Sequence, residues 1–147
     1  MAAIQQSILG AIHTAQQGIA FTKHLKQQNE LTLEKREKEA ADIEKEIKGR
    51  EQTIAEYQSQ IAESESRISR AEQEAAAFPD DEEAAAYIHG EVGGITNPDT
   101  GETLVPSEYE NIARTRSEID RESEAIAKAQ ERLNRRYKQI RRLGGEV

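Results

Sequence analysis

The residues of this chain that could hold a metal or move a proton are scattered. His13, His24 and His89 fall on separate segments, and none has a second histidine or a carboxylate at metal-ligand spacing on its own face. Asp80, Asp81, Glu82 and Glu83 form an acidic run directly after Pro79. That position fits a helix start, where the dipole favours negative charge, better than an ion site. Asp99 and Glu102 flank a turn whose composition needs no cation, and Gly93-Gly94 lacks the spacing of a phosphate loop or a dinucleotide fingerprint. Cysteine is absent, which excludes a disulfide, a thiolate nucleophile and a thiolate metal site. No serine, threonine or lysine stands beside an activating base. The expectation is a non-enzyme with no catalytic residue, no cofactor and no metal.

The elements carrying these residues follow from composition and periodicity. Leu, Ile, Val and Phe number 27 of 147 residues, while 33% of the chain is charged and the net charge is −8. Such a chain is either disordered or a helical assembly with a narrow core, because it lacks the apolar surface to offset the entropy of ordering a broad one. Periodicity selects the second. Ile47, Ile54, Ile61 and Ile68 stand seven apart, with Ala40 and Ala75 in the same phase; Ile112, Ile119, Ile126, Leu133 and Ile140 repeat the spacing downstream. A seven-residue repeat keeps one face toward a partner when helices supercoil, so these nine residues are the expected coiled-coil core.

A weaker second column accompanies each run: Ile43, Arg50, Tyr57, Ser64, Ala71 and Phe78 in the first, Tyr109, Arg116, Ser123, Gln130 and Tyr137 in the second. Folding the second helix back on the first with Ile61 beside Ile126 makes paired numbers sum to 187. That register sets Ile47 with Ile140, Ser64 with Ser123, Phe78 with Tyr109, Ala71 with Arg116, and Arg50 on the ring of Tyr137. It leaves about 40 residues of the first helix, roughly 60 Å at 1.5 Å per residue, beyond the reach of the second.

Boundaries come from local chemistry. Phe78-Pro79 ends the first helix. Asp80 and Glu83 are spaced to start a short helix through Ile88, which Gly90 stops. Residues 91–105 read as a hairpin with Ile95 and Leu104 on short strands around Asn97-Pro98-Asp99-Thr100-Gly101. Ser107 and Glu110 are spaced as a capping box for the last helix, which stops at Gly144-Gly145.

Residues 1–22 differ from the rest. Apart from the terminus they are uncharged, and Ile4, Ile8, Ala11, Ile12, Ala15 and Ile19 make an apolar stripe at helical spacing, while Gly10, Thr14 and Gly18 allow close approach of another helix. Ile4, Ile8, Ile12, Ala15 and Ile19 are therefore the candidate partner-binding residues. Four glutamines oppose a spontaneous membrane span, so any lipid contact is confined to residues 1–22. No run of 18 apolar residues and no secretory start is present, and the expectation is a protein neither exported nor anchored. Charge is segregated, +2 over residues 1–29, −15 over 30–127 and +5 over 128–147. In the fold-back, bases from Lys128 to Arg142 find acids such as Glu44, Glu46, Glu51 and Glu56, an internal explanation that removes the need for sequence-specific nucleic acid.

The opening MAAIQQSILGAIHTAQQGIA running into KHLKQQNELTLEKREKE resembles small helical virion-internal proteins of tailed bacteriophages. The resemblance implies a protein that lines the portal axis or travels as cargo ejected ahead of the genome. The hairpin at 91–105 is not part of that pattern and points instead to a neck or tail component. Partners would be other virion proteins or copies of the chain in an oligomeric assembly, and the location the virion, or the host cytoplasm before assembly. The alternative is a cellular coiled-coil adaptor or scaffold.

The expected fold is all-α: a long antiparallel coiled-coil helical hairpin with an extended N-terminal helix and a small β-hairpin in the connector. Its segments are a docking or oligomerisation helix (1–29), a long coiled-coil helix (30–78), the connector (79–106), a second coiled-coil helix (107–143) and a tail (144–147).

Overall fold

The computed structural model describes residues 2–147, with side chains from Ile4 onward. It is mostly helical: α1 spans Ala2–Ala75, α2 Asp81–Val92 and α3 Glu108–Arg142, and β1 (Ile95–Thr96) pairs antiparallel with β2 (Thr103–Val105). No proline interrupts the sequence before Pro79, and mid-helix Gly10, Gly18 and Gly49 each cost only about 1 kcal/mol relative to alanine, so α1 runs unbroken.

The connector is built from caps. The helix α1 ends at Ala75, three residues earlier than the proline alone predicts, in a tightened turn where the Phe78 N–H donates to the Ala75 carbonyl at 3.0 Å. The Asp80 side chain caps α2 by accepting from the Glu82 N–H at 3.1 Å. Gly90 does not stop α2. The helix continues through it because Val92, 3% exposed, anchors the last turn, and the Gly93 N–H closes on the His89 carbonyl at 2.8 Å. Gly94 has φ +77°, and a Cβ there would meet the Val105 carbonyl oxygen at 2.4 Å, so only glycine admits this approach of the chain to β2. The hairpin turn closes with the Gly101 N–H on the Asn97 carbonyl and the Asn97 N–H on the Glu102 carbonyl. Ser107 accepts from the Glu110 N–H at 3.0 Å and starts α3.

The chain forms two compact units. The first takes α1 up to Lys45 together with Gln130–Val147. Ala40, Ile43 and Ile140 are buried there, and Leu33 and Leu143 half-buried. The end of α3 turns back through Gly144 and Gly145, whose N–H groups bond the Arg141 and Ile140 carbonyls. The second unit is Glu46–Ala129. Ser64, Ala71, Ala75, Val92, Ile112 and Ala129 are buried in it, while Ile47, Ile54, Ile61, Ile68, Ile119 and Ile126 are half-buried.

In the second unit the number of the α3 partner falls as that of α1 rises, and in neither unit do the pairs follow the expected register. Paired numbers sum to 175 for Glu39 with Arg136 and 181 for Glu44 with Tyr137 in the first unit. In the second they sum to 172 for Arg50 with Glu122, 175 for Arg67 with Glu108 and 181 for Glu65 with Arg116. These centre near 176, not 187. The error lies in the second column of α3. Tyr109, Arg116, Ser123 and Gln130 are exposed and Tyr137 of the same column is half-buried; the column that turns inward with the isoleucines is Glu108, Thr115, Glu122, Ala129 and Arg136. Moving the column from three residues before each isoleucine to three residues after it rotates the helix and changes every partner. Phe78 consequently stacks near Tyr87, with ring centroids 5.2 Å apart, rather than Tyr109. Arg50 pairs with Glu122, and Tyr137 bonds Glu44. Arg116 reaches Glu65, and Ser64 accepts from Arg67.

Candidate functional site

The expected core residues separate into two groups. Ile140, 1% exposed, and Ile112, 8% exposed, are buried, whereas Ile47, Ile54, Ile61, Ile68, Ile119, Ile126 and Leu133 are half-buried along the contact between α1 and α3. Ala129 is the least exposed residue of the core at 0%. The periodicity reading did not place it, although it is the one small apolar residue in the inward column.

Charged side chains complete that contact. Arg67 grips Glu108 with two hydrogen bonds, Nε to Oε1 at 2.8 Å and Nη2 to Oε2 at 3.1 Å, and also donates to Ser64 Oγ at 3.2 Å. The Arg67 bonds, joined by those of Ser64 and Asn111, hold the Glu108 carboxyl below its ordinary value. Arg50 donates to Glu122 at 3.0 Å and to Glu46 at 3.3 Å, and these acceptors raise its pKa. Glu39 accepts from Arg36 at 3.0 Å, which lowers its pKa first; Arg136 Nε lies 2.5 Å away as an ion pair without hydrogen-bond alignment. The hydroxyls of Tyr87 and Tyr137 donate to Glu74 and Glu44. Tyr87 is pushed up to about 12 by its carboxylate partner, and Tyr137 is raised for the same reason. These exposed pairs fix partners more than they add stability.

Toward the basic end of α3, Arg136 pairs with Glu39, Tyr137 donates to Glu44, and Lys128 pairs with Glu124 within its own helix, while Arg50 donates to Glu46 within α1.

The candidate partner-binding residues lie on a bare face of α1. Ile4, Ile8, Ile12 and Ile19 are between 49% and 63% exposed, and Ala15 is exposed too. Leu9, Phe21 and Leu25 add to the exposed apolar surface. A Cβ placed on Gly10 or Gly18 would meet nothing within 4 Å, and the hydroxyls of Thr14 and Thr22 are satisfied by the carbonyls of Gly10 and Gly18. The bare face is therefore apolar, and its two threonine hydroxyls donate within the helix. It meets the end of α3 in an open groove of about 530 Å³ lined by Leu25, Asn29, Leu33 and Leu143. The cover reaches Leu33, so about 30 residues extend beyond it rather than 40.

Among the described residues no group of three metal-ligating side chains is brought together, and no helix is long and apolar enough to cross a membrane. His89 packs on Gly93, far in sequence from His13 and His24. The hairpin exposes Ile95, Leu104 and Val105 as a second apolar patch. No family model, curated protein or solved structure matches this chain.

Proposed function

We propose that the chain is a non-enzymatic structural protein that assembles in several copies within a phage virion, as a portal, neck, tail or internal ejected component. The observation that carries this reading is the uncharged apolar face from Ile4 to Ile19, which this chain does not cover. A contiguous exposed apolar face of this kind marks a surface that another molecule covers. On this reading α1 and α3 form an antiparallel coiled-coil hairpin whose inward positions alternate by three and four residues, and the hairpin holds the bare end of α1 out for assembly. The texture of residues 1–40 supports the virion in particular.

The test is co-sedimentation. In a lysate producing phage particles, the chain should travel through a density gradient with DNA-filled particles and be recovered from them after washing. Sedimentation free of particles, with none recovered from them, overturns the virion assignment. The second apolar patch on the hairpin favours one other reading, a cellular coiled-coil adaptor joining two partners. Recovery in a particle-free complex from uninfected cells would establish it.

A further inference from the structure

The bare face continues the phase of the covered one. The least exposed positions of α1 from Leu33 to Ala75 alternate by three and four residues, and carrying that alternation back from Leu33 lands on Asn29, Lys26, Thr22, Ile19, Ala15, Ile12, Ile8 and Gln5. A third column, Ile4, Ala11, Gly18 and Leu25, flanks it on one side. The uncovered end of α1 is thus a seam lacking its second helix, with no charged side chain from Ile4 to Thr22.

We infer that the missing helix is the same segment of a second copy, running antiparallel, with paired numbers summing to 27. The inference rests on the multi-copy assembly proposed above and specifies its contact. Antiparallel helices place one core column opposite the other, and sum 27 sets Ile8 level with Ile19 of the second copy and Ile12 level with Ala15. Gln5 and Thr22 close each end as a polar layer. The flanking columns then face one another: Ile4 beside Leu25 and Ala11 beside Gly18, large against large and small against small, so all three apolar columns leave water together.

Charge excludes the parallel alternative. In a parallel pair Lys26 would sit in the core opposite Lys26 of its copy, a desolvated like-charge contact, and the apolar flank would meet Leu9, Gln16 and Lys23. The antiparallel pair sends the two copies of Lys23 and Lys26 to opposite ends. A heterologous helix would need the same uncharged three-column face, and the chain already carries one.

Full-length chain tests this directly. Light scattering should give twice the 16.5 kDa chain mass, and Ile8→Asp combined with Ile12→Asp should return it to the chain mass with helix content unchanged, since both side chains are exposed within the chain. The chain has no cysteine, so disulfides report register without background. An equimolar mixture of Ile8→Cys and Ile19→Cys chains should oxidise to the mixed dimer, and each variant alone should stay uncrosslinked. A chain mass at every concentration overturns the inference, as does self-crosslinking of Ile8→Cys, which marks a parallel pair. A larger mass with the mixed disulfide supports the pair as its unit; a larger mass without it overturns the register. The virion reading falls separately, by absence of the chain from particles, whatever the scattering shows.

Discussion

Two stretches of α1 share one heptad phase and meet different fates. From Glu39 to Arg67 the helix is paired with α3, and the strongest burial of α1 falls on small residues, Ala40, Ser64, Ala71 and Ala75. From Ile4 to Leu25 the same phase presents large aliphatic side chains to water. The covered stretch is paired by charge, with Arg50, Glu65, Arg67 and Glu39 each reaching across to α3, whereas the bare stretch holds no ionisable side chain before Lys23 except His13. Intramolecular pairing has selected specificity from ions around a thin core, and the bare stretch has kept apolar area without ions. The contrast separates a stretch of one helix that is covered within the chain from a stretch that is not.

The contrast breaks hardest at Ile140. Replacing this buried residue with alanine should cost about 3 kcal/mol in denaturant unfolding. In an Ile8→Asp chain, kept monomeric, Ile12→Ala should change the same measurement by less than about 0.5 kcal/mol. Similar costs at both positions would erase the distinction between the stretches.

Ala129 comes next. It has no exposed surface, so Ala129→Leu should overpack the contact and cost about 1–3 kcal/mol, while Gln130→Leu, on the exposed column, should leave unfolding nearly unchanged. The reverse order would restore the register rejected above.

These two positions show what hydropathy could and could not reveal. The isoleucine columns, the proline stop, the Asp80 and Ser107 caps and the hairpin turn were legible because each depends on one residue type at one spacing. The second column of α3 was not. Tyr109 and Tyr137 on one side of the isoleucines look more like core than Glu108, Glu122 and Arg136 on the other. Those three charged residues turn inward because Arg67, Arg50 and Glu39 meet them, a pairing across 41, 72 and 97 positions that no local pattern contains. The bare stripe was legible as a stripe. Its lack of a covering helix followed from the length of α3, not from hydropathy.

Smaller effects follow from titration. Glu39 and Glu108 have folded pKa values below the ordinary 4.5, so the folded chain binds fewer protons than the unfolded chain as pH falls through that region. Their contribution is complete above 4.5 and is lost as pH drops through the folded values. Thermal midpoints should hold level from neutrality to about pH 5 and then fall, and Glu108→Gln should lower the neutral midpoint by a few degrees while flattening the acid limb. A chain with Ile8→Asn and Ile12→Asn should show the same acid limb, since the bare stretch then still carries no carboxylate. An acid limb unchanged by Glu108→Gln would detach this pair from the covered stretch.

The smallest effect is alkaline. Tyr87 titrates near 12 when folded and near 10 when unfolded, so its contribution is present below 10 and disappears as pH rises from 10 to 12. Tyr87→Phe should remove a shallow decline in midpoint over that window, with no change at neutral pH beyond the lost hydrogen bond to Glu74.

The turn at Gly144-Gly145 acts as a ruler. A Cβ on Gly145 would lie 2.5 Å from Ile140 Cγ2 and 2.7 Å from Leu33 Cδ1, so only glycine lets the chain after α3 seat against the Leu33 level of α1. The length of α3 therefore meters how much of α1 is left uncovered. Inserting one heptad ahead of Gly144 would shift the stop toward Lys26 and shorten the offered seam by two layers, and deleting one would lengthen it by the same step. Over evolution, the reach of such a protein could be retuned in increments of seven residues at its far end, leaving every side chain of the bare face untouched.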